Sequence, residues 1–244
     1  MILSGDLHNE FHACMDTIGF KEKIIQEKTV LIKINLARPA EPNHPRTDAG
    51  LLSAVIHYVY SNGGTCAIAE SANGYLRNNL EQAGLSDIIT NYSLEVIDLD
   101  FEEVEQVEIT GEDHYIPKCF KNYGVRIAMP ASSKRPDMIF SNNVKLFVGA
   151  VPRRMYQTDN KVVHWRPRVH IDLHKSVANI FRSIQWYSPF HFFINGGLAM
   201  SEHCGEFRFK EILIGNDGIE LDFYVFNNYF SGFELPDYLK RLHN

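Results

Sequence analysis

Cysteine is scarce in this sequence. The four residues Cys14, Cys66, Cys119 and Cys204 lie far apart among 244, with no pair at the close spacing that builds zinc or iron–sulfur sites. No iron–sulfur cluster is expected, and a reducing, cytoplasmic compartment fits such isolated thiols. Long apolar runs are missing too. Nowhere do about 20 consecutive apolar residues appear that could span a bilayer, and the opening MILSGDLHNEF lacks the charged-then-apolar pattern of a secretory signal, so no membrane partner is expected. Positive charge is in deficit. With a formal net charge of -6, the chain is not expected to bind nucleic acid, which needs a basic face. A Walker loop, a G-x-S-x-G elbow and a G-x-G-x-x-G fingerprint are all absent, which leaves nucleotide-binding and serine-hydrolase readings without their usual support.

What is present is enough apolar content, 45%, for one large core, and a single domain over 1–244 is expected. Thr29 to Ala37, TVLIKINLA, reads as a buried strand ending near Asn35. Three prolines then force a loop, and Thr47 or Asp48 caps a helix with Leu51, Leu52, Val55, Ile56 and Val59 on its inner face, closed by Gly63-Gly64. TCAIAES is a second strand ending at Glu70 and Ser71, followed by a turn through Asn73 and Gly74, a helix and a third strand from Leu94. This alternation predicts a largely parallel or mixed sheet with crossover helices on both faces, an α/β fold. Further along, the pattern predicts a hairpin around Gly111, a strand from Val125, a short helix through Val144 to Val148, a helix from Ile171 to Ile184, a strand to Asn195 and a helix capped by Asp217.

In open α/β sheets, ligands bind outside the carboxyl ends of the strands. The polar residues at those ends are Asn35, Glu70, Ser71, Asn73 and Asn195. Glu70 is the candidate acid or base; its structural alternative is to cap the adjacent helix or to pair with Lys33 or Arg77. Between Val151 and Lys175 the cations Arg153, Arg154, Lys161, Arg166, Arg168 and Lys175 outnumber Asp159 and Asp172, so an otherwise acidic chain has one stretch suited to a small anion. Within it, HWRPRVHIDLH gathers His164, Arg166, Arg168, His170, Asp172 and His174. His170 and His174 fall together whether the segment is strand or helix and could hold a divalent metal; a helix start there, with Arg166 and Arg168 beside it, would instead favour an anion.

Several segments together resemble the domain-of-unknown-function-362 family. They are VLIKINLA, LLSAVIHYVYSNGG with AIAESANG, NNVKLFVGAVP, the histidine of HWRPRVH, FFINGG and LIGNDGIELD, in the family's order from Val30 to Asp222. The resemblance implies a largely parallel α/β domain, in some relatives fused to ferredoxin-type iron–sulfur modules that this chain lacks. Lys145 matches the lysine of the family's lysine–asparagine motif, although Leu146 follows it. Two stretches depart from the pattern: PASSKRPD keeps Lys134 without the family's histidine, and Asn195-Gly196 stands where relatives have aspartate–glycine.

The resulting expectation is a small-molecule enzyme acting on an anionic carboxylate or phosphate substrate. Glu70, His170 and Lys145 would do the chemistry; Asn35, Asn73, Arg166, Arg168 and Asn195 would bind the substrate; and the loop around His44 and Arg46 would close over it. The alternative is a non-catalytic binding or accessory protein, such as a redox partner that has lost the iron–sulfur module. A homo-oligomer is compatible with either, through the aromatic residues between Phe223 and Phe233.

Overall fold

The computed structural model describes residues 2–3, 7–36, 46–135, 138–159, 163, 165–196, 200–201, 205–206 and 211–243. His44 of the predicted loop, and likewise His164, lie outside these residues, whereas Arg46 of that loop is described. In the first half, β1 (Ile2–Leu3), α1 (Leu7–Thr17) and α2 (Phe20–Glu27) precede β2 (Thr29–Ile34), α3 (Ala49–Ser61), β3 (Thr65–Glu70), α4 (Leu76–Gln82), α5 (Ser86–Asn91) and β4 (Glu95–Asp98). The hairpin β5 (Val104–Ile109) and β6 (Glu112–Pro117) leads to β7 (Val125–Met129), a small hairpin β8 (Ser133–Arg135) and β9 (Ile139–Ser141), and α6 (Asn143–Leu146). Then follow α7 (Leu173–Tyr187), β10 (Phe192–Asn195), β11 (Met200–Ser201), β12 (Gly205–Glu206), β13 (Ile212–Gly215), α8 (Gly218–Tyr229) and α9 (Asp237–His243).

Seven strands form one sheet in the order β1-β13-β10-β7-β2-β3-β4. The five from β10 to β4 run parallel; β13 is antiparallel to β10, and β1 to β13. The fold is thus α/β with a mixed, mostly parallel sheet. The strands carrying Asn35 and Glu70 are neighbours, as a single crossover helix between them requires. Each face of the sheet is covered by its own apolar layer. Val30, Ile32 and Ile34 of β2 pack with α1 to α4 on one side, while Leu31, Ala67, Ala69 and Ala128 meet α6, α7, α8 and the β5–β6 hairpin on the other. Strands buried on both faces carry apolar residues at nearly every position, which is why TVLIKI shows no polar alternation.

Local chemistry sets the helix ends. Asp48 caps α3 by accepting from the Leu51 amide at 2.8 Å, and Gly63 closes its end at a φ of 77°. One expected boundary moves: the helix begins at Leu173, capped by Asp172, and a separate 3-10 turn over Pro167–His170 precedes it.

From β2 the chain winds through β3 to β4, then returns to the other side of β2 at β7 and continues to β10. The winding direction therefore reverses between β2 and β7, where such sheets open a crevice at their carboxyl edge. Thr47 stitches the floor of that crevice. Its hydroxyl donates to the Met129 carbonyl at 2.6 Å and accepts from the Asn35 amide at 2.7 Å, and its own amide donates to the Asn35 carbonyl at 2.8 Å. Thr47→Val would remove the hydroxyl that the Asn35 amide and the buried Met129 carbonyl share. It should cost about 1–3 kcal/mol in urea unfolding, with Thr47→Ser retaining most of the stability.

Candidate functional site

At the carboxyl ends of β2 and β3 a lysine and a glutamate are buried together. Lys33 sits in register with Ala69 on β3 and Ala128 on β7, two small neighbours that leave room for its stem. It is 0% exposed, and its Nζ lies 3.0 Å from Glu70 Oε1 and donates to the Ile34 carbonyl at 2.7 Å. Burial drives the Lys33 pKa below the usual lysine range, Arg166 and Arg153 push the same way, and Glu70 opposes. Both Glu70 oxygens are committed: Oε1 also accepts from the Ser71 amide at 2.7 Å, and Oε2 from the Leu36 amide at 3.2 Å.

A 3-10 turn over Phe147–Ala150 lies directly on this pair. A Cβ at Gly149 would stand 3.1 Å from Glu70 Oε1 and 3.4 Å from Lys33 Nζ, so a side chain there would press on the ion pair. The Gly149 carbonyl accepts from Ser71 Oγ at 2.8 Å. Ser71 Oγ in turn accepts from Arg166 Nη2 at 2.5 Å, and Arg166 Nε and Nη2 both donate to the Val151 carbonyl, at 2.8 and 2.6 Å. Burial pushes the Arg166 pKa down to about 10, with Arg153 adding to the effect. No carboxylate among the described residues pairs directly with this guanidinium.

The turn after β3 has its own anions. Asp98 accepts from the amides of Ala72 and Gly74 at 3.0 and 2.6 Å, and Asp100 from those of Asn73 and Arg153, both at 2.7 Å; Asp100 also pairs with the Arg153 guanidinium. Asn73, at a φ of 51°, therefore turns its amide to Asp100 and its side chain to solvent.

A second polar group occupies the ends of β7 and β10. Asn195 is 0% exposed, and its amide nitrogen donates to Asn142 Oδ1, which also accepts from Ser132 Oγ at 2.6 Å. Among the described residues Asn195 Oδ1 has no partner. Asp222, fully buried on α8, holds the start of α6 by accepting from the amides of Asn143 and Val144 at 2.9 and 3.1 Å. Burial pushes its pKa up to about 7, against the pull of these hydrogen bonds. Lys145 stands half-buried on α6, in the segment linking Asp222 to Gly149.

Of the residues expected to act together, the structure joins Glu70 and Arg166 in one network, with Asn35 beside it at the β2 end. Arg168 and His170 do not turn toward Glu70 as expected. In a 3-10 turn, positions three apart eclipse, so buried Arg166 and Val169 share the inner side while Arg168 and His170 face outward. The His170 ring packs edge-on against Trp165 at 5.0 Å, whereas His174 stacks on Tyr238 at 5.9 Å, so the two histidines have different neighbours. Among the described residues no three or more His, Cys, Asp or Glu side chains gather as a metal site would need. Sequence reading counted Arg153 only among the cations of its stretch and passed over Asp98, Asp100, Asn142 and Asp222. Asp98 and Asp100 had a signal, since Asp98 ends a strand and Asp100 lies two residues beyond it.

Two stability measurements follow from this geometry. Lys33→Met strands a buried carboxylate and should cost about 3–5 kcal/mol in chemical denaturation, while the double variant with Glu70→Leu should lose less than Lys33→Met alone. For Asp222 the folded pKa, about 7, lies above the unfolded value, so the native state binds the proton more tightly. That stabilisation is complete below about pH 4 and is lost as pH rises toward 7, by up to about 1.4 kcal/mol per unit. Asp222→Asn should flatten that part of the stability–pH curve.

No curated protein matches the sequence. A family model does, over residues 30–227, which include β2, β3, β7, β10, both polar groups at the strand ends and most of α8. The chain belongs to the family described as a domain of unknown function, DUF362.

Proposed function

We propose that this chain binds a small anionic ligand, a carboxylate or phosphate, at the carboxyl edge of its sheet and acts on it as an enzyme. The observation that supports the reading is Arg166: a buried guanidinium with no carboxylate partner among the described residues, beside a buried lysine, where open α/β sheets bind ligands. A cation kept at that desolvation cost has electrostatic capacity left for an incoming anion. In this reading Arg166 and Lys33 supply the positive charge, Glu70 keeps Lys33 in place, and Asn195 offers a carbonyl oxygen that has no partner among the described residues, at the neighbouring strand end.

A second reading, a non-catalytic binding or accessory protein, is favoured by one specific feature. Glu70 has both oxygens committed, which suits a positioning group better than a proton-transfer group. Both readings place the protein outside the membrane, in keeping with the absence, among the described residues, of any helix long and apolar enough to cross one. The isolated thiols of the sequence support a cytoplasmic location in this reading.

Titration calorimetry with phosphate, acetate and succinate tests the shared part. At least one should bind saturably, and Arg166→Gln should weaken it by about 1.5–3 kcal/mol, the worth of a hydrogen bond to a charged group. Unchanged affinity in a variant that keeps its circular dichroism would remove the site. Turnover of a bound anion would then separate enzyme from binding protein.

A further inference from the structure

A second cleft, of about 340 Å³, opens between the start of β6 and the start of α7, away from the ion pair. His114 lines it. This histidine is 3% exposed, and among the described residues neither ring nitrogen has a hydrogen-bond partner. An imidazole buried in that state is rare, because a neutral ring offers one donor and one acceptor and both are costly to leave unmet. Burial also lowers its pKa, so the ring stays neutral at neutral pH.

The charges around the cleft divide into committed and uncommitted groups. Glu112 is neutralised by Lys175 at 2.6 Å and also accepts from Asn179, and Asp172 caps α7 by accepting from the Lys175 amide at 3.1 Å. Asp113 has no side-chain partner among the described residues. Among the described residues Arg168 makes only a long contact, 3.3 Å, to the Met155 carbonyl. The cleft therefore presents one open cation, one open anion, a neutral imidazole and the Ser176 hydroxyl at the first turn of α7, with the Tyr156 ring and the 79% exposed Ile171 as apolar surface. A simple anion would meet Asp113 and Asp172 unfavourably, and a simple cation would meet Arg168. A ligand bearing both signs a few atoms apart satisfies Arg168 and Asp113 together.

We propose that this cleft binds a small zwitterion of the α-amino-acid class, with its carboxylate on Arg168, its ammonium on Asp113, and His114 as the hydrogen-bonding group at its base. The site is separate from the strand-end network: Arg166 turns inward to Ser71 and Val151, while Arg168, two residues on, faces the cleft.

Calorimetry with L-leucine, 3-methylbutylamine and 4-methylpentanoate reads the requirement for both charges. L-Leucine should bind saturably and each singly charged analogue at least about tenfold more weakly, the scale of one lost charged hydrogen bond. Arg168→Gln and Asp113→Asn, both at exposed positions, should each weaken L-leucine by about tenfold or more, and His114→Phe should weaken it while the protein remains folded. Arg166→Gln should leave L-leucine binding unchanged, which separates failure here from failure at the strand ends. No saturable L-leucine binding, equal binding of 4-methylpentanoate, or full affinity in Arg168→Gln would each overturn the proposal.

Discussion

The buried ion pair between Lys33 and Glu70 constrains more of this structure than any other contact. Removing two charges from water costs several kcal/mol per ion, and the pair is retained only if every remaining hydrogen-bonding group finds a partner. Here the neighbours are arranged to that end. Alanines flank the lysine on both adjacent strands, the backbone amides of Leu36 and Ser71 turn to the carboxylate, and the 3-10 turn at Gly149 closes over both. Because Gly149 follows α6 directly, and α6 is anchored by Asp222 on α8, the seal over the ion pair is tied to the far end of the chain.

Around this core the carboxyl edge divides into parts with different chemistry. Near β2 and β3 the buried groups are charged, and cations outnumber their direct carboxylate partners. Near β7 and β10 they are carboxamides, a hydroxyl and one carboxylic acid. Thr47 lies between them, where the winding reverses. Arg166 and Arg168, two positions apart, serve different surfaces because a 3-10 turn rotates alternate residues to different sides.

The parallel strands and α3 were legible in the sequence, since period and punctuation agree there: TVLIKI and TCAIAE are continuous apolar runs, and Asp48 and Gly63 mark the helix ends. Glu70 stood out because a charged residue at the end of such a run must be accommodated, and Lys33 was one of two partners considered for it, beside a helix-capping role. The separation of Arg166 from Arg168 was not legible. It depends on whether Pro167–His170 is α-helical or 3-10, which the apolar pattern of a four-residue turn cannot decide. The role of Asp222 was hidden for another reason: its partners, Asn143 and Val144, are about eighty residues away in sequence, and no local rule links an acid on one helix to the first turn of another.

Carbon-13 NMR of the Lys33 side chain, with its resonance assigned by Lys33→Arg, tests the central claim most directly. Burial beside Glu70 and two arginines predicts that Lys33 titrates below the surface lysines, and that Glu70→Gln lowers its midpoint further by removing the negative charge that opposes the shift. A Lys33 that titrates with the exposed lysines, or is indifferent to Glu70→Gln, would contradict a sealed ion pair at the heart of the site.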